Sequence, residues 1–287
     1  MVIIRKVTVG GNMRYKLIAC DMDETLLNDN HLICEENIKL IKKATQEYGV
    51  KFVPTTGRGY MFIQNILKEL DLQDKSGEYV ISFNGGALTE NKNNKVLDFK
   101  GINLDKVKEI FEFGLKEDVG IQIYTQDKLY IYNLTEDERK RKEGQKIEYT
   151  ILDDNNLDFL ENEYIAKVLF QNTDVPYLMS LEPKMKHIIK NHCSVSYSSN
   201  RFMEFNAPNV NKGNGLINLA KILNIEIEEI IAIGDNYNDL SMLELAGLSV
   251  AAGNAVEDVK KICDYTTKAN NNEGVVSEVI EKFILNK

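Results

Sequence analysis

The chain has 287 residues, with 35 Lys and Arg against 44 Asp and Glu, for a formal net charge of −9. A hydrophobic share of 43% and a charged share of 28% describe a folded globular chain with a sizeable core, and the length suggests two domains. The acidic balance argues against nucleic-acid or anionic-membrane partners, which select clustered Lys and Arg, and no run approaches the roughly 18 apolar residues of a spanning helix.

In chain order, residues 1–12 (MVIIRKVTVGGN) lack the features of a targeting signal, because Arg5 and Lys6 interrupt the apolar stretch. Met13 opens MRYKLIACDMDET and reads as a natural start, which makes 1–12 an extension. The apolar run 15–20 predicts a buried strand. Residues 35–48 carry Ile38, Ile41 and Ala44 near helical spacing, with Glu35 and Glu36 in the first turn and Gly49 at the C-terminal cap. A second strand (50–54) stops at Pro54, a helix fills 59–70, and a third strand (79–82) runs into Asn84, Gly85 and Gly86. Strands alternating with helices predict a parallel sheet with right-handed crossovers.

The same alternation returns near the C-terminus. Helices are expected at 213–223, 237–246, 256–262 and about 273–284, and strands at 230–233 and 248–251. Between them, residues 88–202 are richer in Lys, Glu, Asn and Tyr, with strands at 121–125, 130–133 and 165–170. This stretch predicts an α+β domain inserted into a discontinuous α/β core of residues 13–87 and 203–287. DERKRKEGQK (137–146) reads as a solvated face or loop, and Asn270–Asn272 as a surface loop. The four cysteines, Cys20, Cys34, Cys193 and Cys263, have neither CxxC spacing nor nearby His pairs, and read as buried reduced thiols of a cytosolic protein. His31, His187 and His192 have no partner pattern and read as structural.

Four polar clusters stand out, three of them just after predicted strands, whose carboxyl ends converge in a parallel sheet. In DMDETLL (21–27), Asp21 and Asp23 are close enough to repel unless a cation compensates. A hard cation such as Mg²⁺ suits oxygen ligands, with one carboxylate as nucleophile and the other moving a proton. A loop carboxylate pair or helix cap is the plain alternative. In TTGR (55–58), Thr56 and Gly57 can offer a hydroxyl and a backbone N–H to a phosphate, or can form a simple turn. Lys212, in NVNKGNG, can offset acidic charge or stand in solvent. In GDNYND (234–239), Asp235, Asn238 and Asp239 supply more acidic and amide groups than one helix cap requires.

The order of these clusters resembles the haloacid dehalogenase superfamily, and within it the Cof-type (IIB) phosphatases, whose cap is inserted after the third core strand. ISFNGGAL (81–88), VAAGNA (250–255) and NEGVV (272–276) support the likeness, which covers residues 13–287. The resemblance implies a Rossmann-like core with an inserted α+β cap, and a Mg²⁺-dependent hydrolase of small phosphorylated metabolites. It implies Asp21 as nucleophile and metal ligand, and Asp23 as general acid and base whose main-chain carbonyl binds the metal. It further implies Asp235 as metal ligand, and phosphate contacts from the N–H groups of Met22 and Gly57, the Thr56 hydroxyl and Asn238. Lys212 would neutralise nucleophile and phosphate, and Asp239 would support it. Arg58 and Asn84 are candidate substrate contacts. A phosphosugar mutase and a non-enzymatic metal- or phosphate-binding module are the alternatives.

Overall fold

The computed structural model describes residues 8–9, 12–145 and 147–286. The expected extension falls outside them, except that Thr8–Val9 pairs with Asn12–Met13 in a short antiparallel ladder. The chain divides into two compact units, 1–96 with 212–287, and 97–211.

The first unit is built on a five-stranded sheet in the order Tyr265–Thr266, Leu248–Ala251, Ile230–Gly234, Leu17–Cys20 and Lys51–Pro54, with every pairing parallel. Leu17–Cys20 and Ile230–Gly234 are buried along their whole length, as strands covered on both faces must be. Glu35–Tyr48 forms the expected helix, and Gly49 closes it at φ 67°, a left-handed geometry that favours glycine. That helix packs with Val275–Phe283, and Lys212–Leu223 packs with Leu240–Leu243. Two expected helices are shorter than their apolar spacing suggested. Tyr60–Ile63 and Tyr237–Asp239 are 3₁₀ turns leading into Gln64–Glu69 and Leu240–Leu243. A parallel bridge from Thr55 to Ile81 extends the sheet into the hairpin Tyr79–Ser82/Ala87–Glu90.

The second unit is a six-stranded sheet in the order Thr150–Ile151, Leu129–Tyr132, Gly120–Thr125, Ile165–Gln171, Phe202–Asn206 and Ser194–Ser198, antiparallel except for the first pair. Strand alternation sends Ile121, Ile123, Val168, Phe170, Met203 and Phe205 into an apolar core shared with helices Leu104–Gly114 and Val175–Leu181. It sends Gln122, Tyr124, Lys167 and Glu204 to the other face.

The joints between units lie nine residues further along than expected at both ends. A boundary at 87/88 would cut the hairpin that continues the first sheet, and one at 202/203 would cut a strand paired on both sides in the second.

The charged segment 137–146 also needs correcting. Through Gly144 it belongs to the helix Glu136–Gly144, and Lys146 lies outside the described residues. Glu138 and Lys142 are only 1% and 2% exposed. They pair at 3.2 Å across one helical turn, and reach Gln122 at 3.1 Å and the Tyr124 hydroxyl at 3.0 Å on the polar face of the sheet. A mean composition cannot show such a pair, because only two of its charges face inward. Asn271 likewise lies buried inside the expected surface loop, donating to Asp29 Oδ1 at 2.9 Å and to the Leu27 carbonyl at 3.4 Å.

Removing one partner of a buried ion pair strands the other charge, which costs about 3–5 kcal/mol. Glu138→Ala should therefore lower unfolding stability by that order in a denaturant titration. Lys140→Ala, at a side chain 73% exposed on the same helix, should stay within about 0.5 kcal/mol of wild type.

Candidate active site

The register of the parallel sheet brings the polar clusters to one edge. Cys20 lies opposite Pro54 and Ile233, so the next residues of three strands emerge side by side. Backbone bonds fix the first steps beyond the strands. Asp21 N–H donates to Ile233 O at 2.9 Å, Thr55 N–H to Cys20 O at 2.8 Å, and Thr56 N–H to Ile81 O at 2.8 Å.

At this edge Lys212, fully buried at the start of its helix, donates from Nζ to Asp21 Oδ1 at 2.5 Å and to Asp239 Oδ1 at 2.6 Å. The second oxygen of Asp239 accepts the N–H groups of Asp235 at 2.9 Å and Asn236 at 3.1 Å. Asp239 thus ties the loop after the third strand to the lysine. The fit leaves no room at Gly234, where a Cβ would stand 2.6 Å from the Asp239 carboxylate. Thr25, fully buried, donates to Asp235 Oδ1 at 2.7 Å. The sequence reading passed over Thr25. Its signal was the hydroxyl four residues after Asp21, directly behind the acidic Asp23 and Glu24.

Asp21, Asp235 and Asp239 can each bring a carboxylate oxygen within 4.8 Å of the others. Burial raises the Asp21 carboxyl well above its ordinary range; Lys212 pulls it back, while Asp239 and Asp235 push it up further. Burial and then Asp239 push Asp235 up to about 7, against the Thr25 bond and Lys212. Burial pulls Lys212 down, but its two carboxylate partners outweigh that and hold it firmly charged. Three carboxylates face one ammonium, so the cluster lacks positive charge. Its donors are all hard oxygens, as a divalent cation such as Mg²⁺ prefers. Both Asp239 oxygens are committed to Lys212 and the backbone. Asp21 Oδ2 and Asp235 Oδ2 are not used by the bonds described, so these two side chains fit the cation.

Thr56 is fully buried and its hydroxyl accepts the Arg58 N–H at 3.0 Å. Asn84, at φ 55°, donates its N–H to Thr56 O at 2.9 Å, and its side chain lies against Gly57, where a Cβ would come within 3.1 Å. Asn84 therefore shapes the TTGR turn directly. Met22 is buried, and its carbonyl accepts the Leu27 N–H at 2.8 Å. Asn238 is half-buried in the turn Tyr237–Asp239, outside the bonded set around Lys212. Arg58 grips Asp23, with Nε 2.9 Å from Oδ2 and Nη2 bonded to Oδ1. His31 Nδ1 stands 4.0 Å from Asp23 Oδ1, a proximity the sequence did not suggest. His187 and His192 are exposed in the second unit. The loop carrying Asp23 and Thr25 is anchored by Asn254, which donates to Glu24 O at 2.7 Å, and by Asn271 and Asn272, which donate to the two oxygens of Asp29.

Comparison with known proteins follows the same lines. YxeH of Bacillus subtilis (strain 168) is 33% identical over 278 residues, covering 95% of this chain and all of that protein. The 5-amino-6-(5-phospho-D-ribitylamino)uracil phosphatase YcsE of the same organism is 30% identical over 264 residues, covering 92% of this chain and 94% of that protein. A crystal structure of a haloacid dehalogenase-like hydrolase from Bacteroides thetaiotaomicron superposes with a TM-score of 0.82 at 30% identity, covering 93% of this chain and 99% of the other. Residues 18–279 match the family model for haloacid dehalogenase-like hydrolases. With that match spanning both the sheet edge and the inserted unit, the chain belongs to the haloacid dehalogenase-like hydrolase family.

Proposed function

We propose that the chain is a Mg²⁺-dependent phosphatase of small phosphorylated metabolites that works through an aspartyl-phosphate on Asp21. The observation that carries this reading is the buried Lys212 ammonium held between Asp21 and Asp239, beside an Asp235 presented by Thr25. A nucleophilic carboxylate must be kept ionised and aimed in a site that burial would otherwise neutralise, and Lys212 opposes that neutralisation. The phosphatase activity of the relative YcsE supports the substrate class. Among the described residues, no helix is long and apolar enough to cross a membrane.

Asp21, Asp235 and the Asp23 main-chain carbonyl would hold the ion. When bound, Mg²⁺ supplies the positive charge that offsets phosphoryl oxygens among carboxylates. The remaining work falls to the chain's own groups. An Asp21 oxygen attacks phosphorus, and the bond to the ester oxygen breaks with its electron pair leaving on that oxygen. Asp23 donates a proton to the departing oxygen. Asp23 then takes a proton from a water whose oxygen attacks phosphorus, and the bond to Asp21 breaks to release phosphate. The Thr56 hydroxyl, the N–H groups of Met22 and Gly57, Asn238 and the Lys212 ammonium hold the phosphoryl oxygens. Catalysis of this kind is mostly positioning and charge compensation.

Asp21→Asn should reduce phosphate release by roughly 10³-fold or more, because the amide cannot form the covalent bond. It should still fold cooperatively, because Asp239 keeps Lys212 paired and the amide oxygen can still accept from it. Retained turnover in that variant would overturn the mechanism. Chelation should abolish phosphate release across a metabolite panel and added Mg²⁺ should restore it. Mg²⁺ at about 100 times its dissociation constant should also stabilise the substrate-free protein by about 2.7 kcal/mol in thermal or chemical unfolding. Activity unaffected by chelation would rule out the metal dependence.

A further inference from the structure

We propose that Arg58 is a positioning residue for Asp23, fixing the direction of the proton-transferring carboxylate relative to the phosphate-holding turn; the inference rests on the phosphatase reading above. The Asp23 side chain is 40% exposed on a loop, with His31 Nδ1 4.0 Å from its Oδ1. The Arg58 side chain is only 15% exposed and meets both carboxylate oxygens with its planar fork, Nε at 2.9 Å and Nη2 alongside. Two-point contact sets the plane of the carboxylate as well as its place.

The base of the fork is itself fixed. Arg58 N–H donates to the Thr56 hydroxyl at 3.0 Å, and Arg58 O accepts the Phe83 N–H at 3.0 Å. One residue therefore connects the Thr56 hydroxyl, assigned to the phosphoryl oxygens, with Asp23, assigned to the leaving-group oxygen. Lysine could supply the charge but not the planar fork.

The test compares kcat/KM on an ester whose leaving oxygen needs a proton, glycerol 3-phosphate, with one whose leaving group departs readily as an anion, p-nitrophenyl phosphate. The proteins are wild type, Arg58→Met, Arg58→Lys, Asp23→Asn and the double variant Arg58→Met/Asp23→Asn. General acid catalysis contributes roughly 10²–10⁴-fold, and a misaimed acid should lose part of it. Arg58→Met should lose about 10- to 100-fold more on the alkyl ester than on the aryl ester, with kcat falling and KM little changed. Arg58→Lys should behave like Arg58→Met. In the Asp23→Asn background the Arg58 substitution should leave the ratio between esters unmoved. Equal losses on both esters, a rise confined to KM, or additivity in the double variant would overturn the proposal in favour of direct substrate contact by Arg58. If wild type releases phosphate from neither ester under conditions where it releases phosphate from another metabolite, that metabolite replaces glycerol 3-phosphate and its aryl analogue the other. If wild type hydrolyses no phosphoester, the phosphatase reading itself fails. A crystal structure of Arg58→Met then decides the positioning separately: a displaced Asp23 side chain upholds it, and one that keeps its wild-type rotamer overturns it.

Discussion

The site depends on one buried ammonium. Lys212 lies within 2.6 Å of two carboxylates that arrive from opposite ends of the first unit's sequence, Asp21 and Asp239. An ammonium stripped of water is tolerable only with such partners, and either carboxylate alone would face the converse penalty. The three groups therefore constrain one another. Asp239 uses its remaining oxygen to hold the backbone of Asp235 and Asn236, so the ion pair also sets the loop that presents Asp235. The 2.6 Å clearance at Gly234 follows from the same requirement, because any side chain there would displace Asp239 from the lysine.

The loops around this centre bury apolar side chains such as Met22, Leu26, Leu27 and Phe83, and side-chain amides add hydrogen bonds to them. Asn84 and Phe83 adopt positive φ to turn the chain back on TTGR, and Asn254, Asn271 and Asn272 tie down the loop that carries Asp23 and Thr25. Asparagine tolerates the left-handed region better than most residues and carries both a donor and an acceptor. It can hold a polar loop without adding charge to a cluster already short of cations.

Much of this was legible in the sequence because local pattern and global position agreed. The helix 35–48 had periodicity, acidic first-turn residues and a glycine cap. The acidic clusters followed short apolar runs, and the sheet register turned that shared offset into a shared edge. Other features were hidden for physical reasons. Thr25 and the Asn271 amide bond to residues more than 200 positions away, and no local pattern encodes such partners. The unit boundaries were misread because composition changes gradually, whereas strand pairing is all or none. Arg58 was a candidate substrate contact, and its bond to Asp23, 35 positions away, is equally invisible to local pattern.

Two buried charge clusters show how function differs from stability in one chain. On the polar face of the second sheet, Glu138 meets Lys142 at 3.2 Å and Glu204 meets Lys167 at 2.6 Å, so each carboxylate there has its own cation. The charges of such a cluster balance within it. At the sheet edge of the first unit, Asp21, Asp235 and Asp239 share only Lys212, and burial and mutual repulsion push Asp235 up to about 7. An imbalance of this kind opposes folding unless something else gains from it. A divalent cation held by Asp21 and Asp235 would relieve it directly. Together with Lys212 it would offset the three carboxylate charges, so that a phosphorylated substrate would meet a neutral volume in place of an anionic one. The overall charge of −9 therefore does not exclude a phosphorylated substrate, because charge compensation is decided within one small volume.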